Sequence, residues 1–111
     1  DGILDLGKKF GLYKGRKAII KHFQEISSQF VFASHLATNP EIKIESLEKA
    51  RGTWQLIMPC NMQNGNSVES RWLFGEYQDK FSCVGGEWKF FEIKVVHRVF
   101  AKHLDGWTQH H

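Results

Sequence analysis

His35-Leu36-Ala37-Thr38-Asn39-Pro40, Ala50-x-Gly52-x-Trp54-x-Leu56, Gly75-x-Tyr77-x-Asp79 and Gly85-Gly86-x-Trp88-Lys89-Phe90 follow one another between positions 35 and 90. Three of these four blocks are spaced by two, which sets the named residues of each on one face of a β-strand. Asn64-Gly65-Asn66 separates the second block from the third and is a hairpin turn sequence. A two-residue turn at Asn64-Gly65 or at Gly65-Asn66 pairs strands over 49–62 and about 69–84. Either register places Trp54 and Leu56 on the face that carries Leu73, Gly75 and Tyr77, and that shared face is the expected pocket wall. A single polar side chain, His35, then faces an aromatic-rich sheet.

The last strand, over 87 to about 102, has two registers open to it. A plain two-residue turn at Gly85-Gly86 directs Trp88, Phe90, Glu92, Lys94 and Arg98 to the pocket face and buries three charges. A one-residue bulge beside the glycines instead turns Phe91, Ile93, Val95, His97 and Val99 inward. Burying an unpaired charge costs several kcal/mol, whereas a bulge at a glycine pair costs little, so the bulge is expected and His97 joins His35 in the cavity.

Ahead of these strands, Ile3 to Leu6 reads as a short strand, Gly7 to Gly11 as a glycine-bounded turn and Phe10 to Tyr13 as the returning partner. Ile19, Phe23, Ile26 and Phe30 recur at steps of four, three and four, which predicts one amphipathic helix over 16 to about 28. Ser27-Ser28 weakens helix propensity, and the β-favouring run over 30–36 begins a strand. Asn39-Pro40 signals a turn before an exposed alternating strand over 41–45, and a second turn near Leu47 leads to the long strand.

A chain of 111 residues, 41% hydrophobic and 24% charged, is ordinary for one globular domain. No run approaches the ~18 apolar residues of a membrane span, and no secretory leader pattern opens the sequence, so a cytoplasmic location without membrane partners is expected. The formal charge is +3, with Lys8, Lys9, Lys14, Arg16, Lys17 and Lys21 concentrated near the start. Such a cluster reads first as a solvated face, and no nucleic-acid partner is expected. Cys60 and Cys83 form no metal spacing, and Cys60 would lie across from Glu69 or Arg71, away from Cys83. Met58, Cys60 and Met62 read as core. His110 and His111 read as a tail or tag remnant.

Together these blocks resemble the SnoaL-like branch of the nuclear transport factor 2-like superfamily. The resemblance spans Asp1 to Trp107. It implies an α+β fold, a curved and mostly antiparallel sheet forming a cone-shaped pocket with one long helix packed on it. As a domain it takes in residues 1–109, with 110–111 outside it. The family begins with one or two helices ahead of the strand that matches Ile3 to Leu6, so the resemblance implies an incomplete N-terminus. The geometry agrees: a helix of about 13 residues is about 20 Å long, against a sheet of roughly 20 by 35 Å. So small a cover would leave Trp54, Leu56 and Tyr77 as an exposed apolar patch.

The family includes dehydratases, dehydrochlorinases, isomerases and polyketide cyclases, and its catalytic histidine matches His35. That implies a cofactor-independent lyase or isomerase acting on a small hydrophobic, cyclic substrate, with His35 as general base and no metal. The substrate-binding wall is expected from Trp54, Leu56, Leu73, Tyr77, Ile93 and His97. In such enzymes an Asp on the first helix pairs with the histidine, and no residue here occupies that position. The alternative for His35 is a core histidine bonded to a backbone carbonyl; for the whole chain it is a non-catalytic module of the same fold binding a small ligand or a protein. Asp79 is expected to pair with a basic neighbour, and His22, on the helix surface, and His103, near the terminal loop, carry no assigned role. Trp72, Phe74 and Phe90 on the second sheet face suggest a homodimer or higher homo-oligomer.

Overall fold

Positive backbone angles at the glycines set the two hairpins on which the sheet is built. A computed structural model describes residues 2–106; Asp1, Trp107, His110 and His111 lie outside the described residues. Gly65, with φ 63°, takes the first of two turn positions, so the turn is Gly65-Asn66 and Asn64 pairs with Ser67. Gly85 and Gly86, at 61° and 82°, make the second turn, closed by Val84 and Glu87. Both are tight turns whose twist suits paired strands.

Along the chain the elements are β1 (Ile3–Asp5), α1 (Gly7–Phe10), β2 (Leu12–Lys14), α2 (Arg16–Ser27), β3 (Phe30–Ala33), β4 (Leu36–Ile44), β5 (Lys49–Asn64), β6 (Ser67–Val84) and β7 (Glu87–Lys102). They form one open sheet in the order β2-β1-β7-β6-β5-β3, with β4 also paired to β5. Only β1 against β7 is parallel among the described pairings. Gly15, at φ 86°, turns the chain from β2 into α2. At the other end of α2 the Ser27 and Ser28 hydroxyls donate back to the carbonyls of Gln24 and Glu25, competing with continuation of the helix.

Of the two β5–β6 registers left open, the Gly65-Asn66 turn selects the one with Trp54 opposite Tyr77, Leu56 opposite Gly75, Met58 opposite Leu73, and Cys60 opposite Arg71, and the shared face is as expected. Both cysteines are free. Leu56, Met58, Cys60, Leu73 and Val95 form the buried core.

The last strand corrects the sequence reading. The hairpin leaves its glycines in plain register, and the first bulge comes later, between the Phe81–Phe90 and Lys80–Glu92 pairs. Phe91 is the extra residue. A second, unexpected bulge follows between the Gly75–His97 and Phe74–Val99 pairs, with Arg98 as the extra residue. Phe90, Ile93, Val95, His97 and Phe100 therefore face the concave side, and Phe91 and Val99 do not. Each bulge resets the alternation once, which is how charges at 92, 94 and 98 and aromatics at 90 and 100 all find suitable sides. Arg98 reaches Glu76 at 3.0 Å and holds its carboxyl below the ordinary range. Phe90 accordingly leaves the outer face assigned to it with Trp72 and Phe74.

Two further expectations change. The Gly7 to Gly11 turn is a single helical turn, α1, with the Gly7 amide donating to the Asp5 carboxylate at 3.0 Å. Asn39-Pro40 does not end a strand: β4 runs through it, with a shift in pairing between Thr38 and Glu41 and Asn39 at φ 51°. Asn tolerates that conformation and Pro40 has no amide to offer the ladder, so the pair makes a bulge on an edge strand.

Curvature also alters the burial argument. Leu56 is only 3% exposed, and Trp54 and Tyr77 are half-buried, because the sheet curls over its own concave face. Apolar exposure falls instead on Phe23, Phe90 and the β3–β4 edge. The bend has little room for side chains at its inner glycines. A Cβ at Gly75 would overlap the Val96 carbonyl oxygen, and one at Gly52 would overlap the Trp54 ring. Gly75→Ala is expected to cost about 1–3 kcal/mol by forcing the β6–β7 backbones apart, measured by urea unfolding. An unchanged midpoint would show that the strands can yield at this point.

Candidate functional site

The concave face closes over an apolar cavity of about 780 Å³. Its wall is laid out in rows by the strand register, and the rows show which side chains meet. At one level Leu56, Gly75 and His97 align across β5, β6 and β7; at the next come Trp54, Tyr77 and Val95. Beyond them Gly52, Asp79, Ile93, Leu4 and Tyr13 continue across five strands. In the opposite direction Met58, Leu73 and Phe100 form the next row, and Phe30 and Met62 line the cavity beyond it.

All seven residues singled out in the sequence, His35, Trp54, Leu56, Leu73, Tyr77, Ile93 and His97, line this cavity. They do not share one environment. His35 occupies a two-residue gap between β3 and β4, not the middle of a strand. The Ser34 amide donates to the Pro59 carbonyl at 3.1 Å, and Leu36 pairs with Ile57, so His35 stands level with Met58. Its ring is on the wall, but at the open rim, and the residue is exposed.

His97 lies deeper, half-buried, with its ring 4.7 Å from that of Phe10. Burial, reinforced by the nearby Lys9 charge, pushes its pKa below the ordinary histidine value, which favours the neutral ring. Burial raises the Tyr77 pKa, with the Asp79 charge adding to it, so the phenol keeps its proton and can donate. Trp54 packs edge-on to Phe81 at 6.2 Å over the space left by Gly52.

Two cavity residues had been given other places. Asp79 makes no ion pair among the described residues; it is 6% exposed, and its Oδ1 is buried without a hydrogen-bond partner. Burial raises its pKa from 3.8 to about 6, opposed by the backbone amide of Lys94. His22 is not on the outer helix surface. It is 8% exposed, stacks on Tyr13 with ring centroids 4.0 Å apart, and leaves Nε2 buried without a partner. The signal was present: Ile19, His22, Phe23 and Ile26 follow the same three- and four-residue steps that placed the helix's apolar face. His103 accepts a hydrogen bond from the Trp72 indole at 3.0 Å. Among the described residues, no three His, Cys, Asp or Glu side chains converge as metal ligands would.

The buried carboxyl has a signed consequence for stability. Because the folded pKa lies above the unfolded one, the native state loses stability as pH rises from about 4 through 6, by roughly 3 kcal/mol for a shift of this size. Asp79→Asn is therefore expected to stabilise the protein at pH 8 and to lose most of that advantage at pH 4. Urea unfolding at the two pH values measures it, and a difference independent of pH would contradict the burial argument.

The fold has close counterparts among solved structures. A hexachlorocyclohexane dehydrochlorinase of type 2 superposes with a TM-score of 0.83 at 20% identity, over 92% of this chain and 68% of that one. A type 3 dehydrochlorinase from Novosphingobium barchaimii LL02 gives 0.81 at 20% identity, over 92% and 68%. A protein described as a putative scytalone dehydratase from Novosphingobium aromaticivorans DSM 12444 gives 0.78 at 21% identity, over 93% and 67%. Likeness at this level of identity establishes a shared nuclear transport factor 2-like fold. No curated protein matches the sequence. The SnoaL-like domain family does match it, over residues 1–94, and the chain belongs to that family.

Proposed function

We propose that this domain, over residues 1–109, is a cofactor-independent enzyme of the lyase or isomerase type, acting on a small hydrophobic, cyclic substrate with His35 as general base. The observation that carries this reading is the apolar cavity itself, of about 780 Å³, with so few titratable groups on its wall. A pocket of that size suits a ring-shaped guest, and isolated polar groups in an apolar site fix orientation. His35 stands at the rim, where it reaches the cavity and can pass a proton on to solvent. His97 lies on the row next to His35 and Tyr77 on the row after it, where they can hydrogen-bond to charge that develops on a substrate oxygen or leaving group. Trp54 gives a flat surface for the ring.

Abstraction of a proton by the imidazole would drive loss of a leaving group from the neighbouring carbon, or return of the proton elsewhere in isomerisation. General base catalysis contributes ~10²- to 10⁴-fold. A second reading, a non-catalytic small-ligand or protein-binding module, is favoured by one observation: His35 is exposed, in an irregular gap between two strands, rather than buried on the cavity wall. Oligomerisation through the convex face bearing Trp72 and Phe74 is part of the same proposal, as is a cytoplasmic location.

Chloride release from hexachlorocyclohexane and dehydration of scytalone are the first reactions to assay, because dehydrochlorinases and a putative scytalone dehydratase share the fold. His35→Ala is expected to lower turnover by about 10²-fold or more with the fold intact by circular dichroism. Full activity in that variant would remove the base assignment. Trp54→Ala should weaken binding of alicyclic and aromatic ligands, read by calorimetric titration, and unchanged affinity would move the ring subsite elsewhere. Sedimentation at micromolar concentration tests association, and a monomer there would exclude the dimer.

A further inference from the structure

The cavity has a polar end that the proposed chemistry does not use. Gly52, Asp79, Ile93, Leu4 and Tyr13 make up one row across the sheet, and His22 stacks on the Tyr13 ring at the end of that row. Asp79 and His22 are each more than nine-tenths buried, line the cavity, and carry an atom without a hydrogen-bond partner among the described residues, Asp79 Oδ1 and His22 Nε2. Opposite Asp79 stands Gly52, which has no side chain of its own to pair with the carboxyl and over which the apolar Trp54 ring packs. A buried carboxyl with one oxygen unpartnered is costly, and apolar side chains would pack this end of the cone more stably. A group that donates a hydrogen bond into the cavity would relieve the cost.

We propose that Asp79 is a recognition site for the hydroxyl group of an elongated hydrophobic ligand, with Oδ1 accepting the hydroxyl proton and His22 completing a polar subsite at the end of the cavity remote from His35. This rests on the proposed function only for the position of the reacting carbon. Asp79 is level with Gly52 and His35 with Met58, six residues apart along β5, or roughly 20 Å of strand. A single six-membered ring does not bridge that length. The substrate class is therefore narrowed to molecules with two or three rings in line, apolar along their length, reacting at one end and hydroxylated at the other. The specificity is of the asymmetric kind expected for a buried acceptor: a ligand with a methyl group in place of the hydroxyl leaves the carboxylate unpaired and is rejected.

The test uses 4-hydroxybiphenyl and its isostere 4-methylbiphenyl as probes, titrated calorimetrically into the whole chain at pH 8. The parent protein is expected to favour the hydroxyl compound by about tenfold or more, the range for a hydrogen bond to a charged group. Asp79→Leu should abolish the preference while still binding 4-methylbiphenyl, which also shows that the variant is folded. Asp79→Asn, which keeps an acceptor oxygen, should retain a reduced preference and serves as the reporter should the Leu variant fail to fold. Equal affinity of the two probes for the parent, or a preference that survives Asp79→Leu, overturns the proposal. His35→Ala separates the two readings. It should leave the probe preference untouched; loss of turnover without a preference in the parent sinks the hydroxyl site alone, and a preference with undiminished turnover in His35→Ala sinks the base alone.

Discussion

Everything in this molecule depends on the bending of three long antiparallel strands, β5, β6 and β7, into a trough. A flat sheet with one helix of twelve residues could not bury Leu56, Met58, Leu73 and Val95 together. The bend requires close backbone approach where the strands turn over, and Gly75 supplies it beneath the Val96 carbonyl. It also requires local lengthening, which the extra residues Phe91 and Arg98 supply on β7. Sheet curvature therefore takes over the burial that a second layer of helices would otherwise perform.

Much of this was legible in the chain because short-range chemistry decides it. Asn64-Gly65-Asn66 and Gly85-Gly86 mark two hairpins, and either turn at the first puts Trp54 and Leu56 on one face with Gly75 and Tyr77 without any tertiary information, while the choice of Gly65-Asn66, which pairs Trp54 with Tyr77, came from the structure. The serine pair at 27 and 28 and the stepped apolar residues likewise fix the helix. What resisted reading is whatever depends on contacts far apart in sequence. A bulge on β7 was demanded by the charges at 92, 94 and 98, but where it falls is set by how β6 and β7 accommodate the curve, and that is absent from a local window. The same holds for Asp79: its spacing from Tyr77 gave the right face, but only the assembled trough shows that it is buried, with Oδ1 unpartnered among the described residues. His22 was missed for a different reason, since a polar residue on an apolar helix face is easily taken for a surface one.

The polar groups of the cavity divide by exposure. His35, at the rim, keeps contact with water and is suited to exchanging protons. Asp79 and His22, at the far end, are cut off from water and are suited to discrimination, where a wrong partner is penalised by leaving them unsatisfied. His97 and Tyr77 stand between, half-buried and held in their protonation states by desolvation. If the proposed roles hold, an apolar trough whose reactive and selective groups stand well apart can change substrates by altering one while preserving the other, which fits the variety of chemistries this superfold supports.

The kink at Asn39-Pro40 has its own consequence. β4 is exposed along its whole length and forms, with β3, one open margin of the sheet, carrying Leu36, Ile42 and Ile44 outward. A long, flat, greasy border of unpaired amides and carbonyls invites a neighbouring molecule to add its own strand and so to seed fibrils. The proline withholds one donor and the left-handed asparagine throws the border out of line, breaking it into two pieces too short to template such growth. A residue pair that looks like a simple corner thus acts as a guard against self-association along the rim.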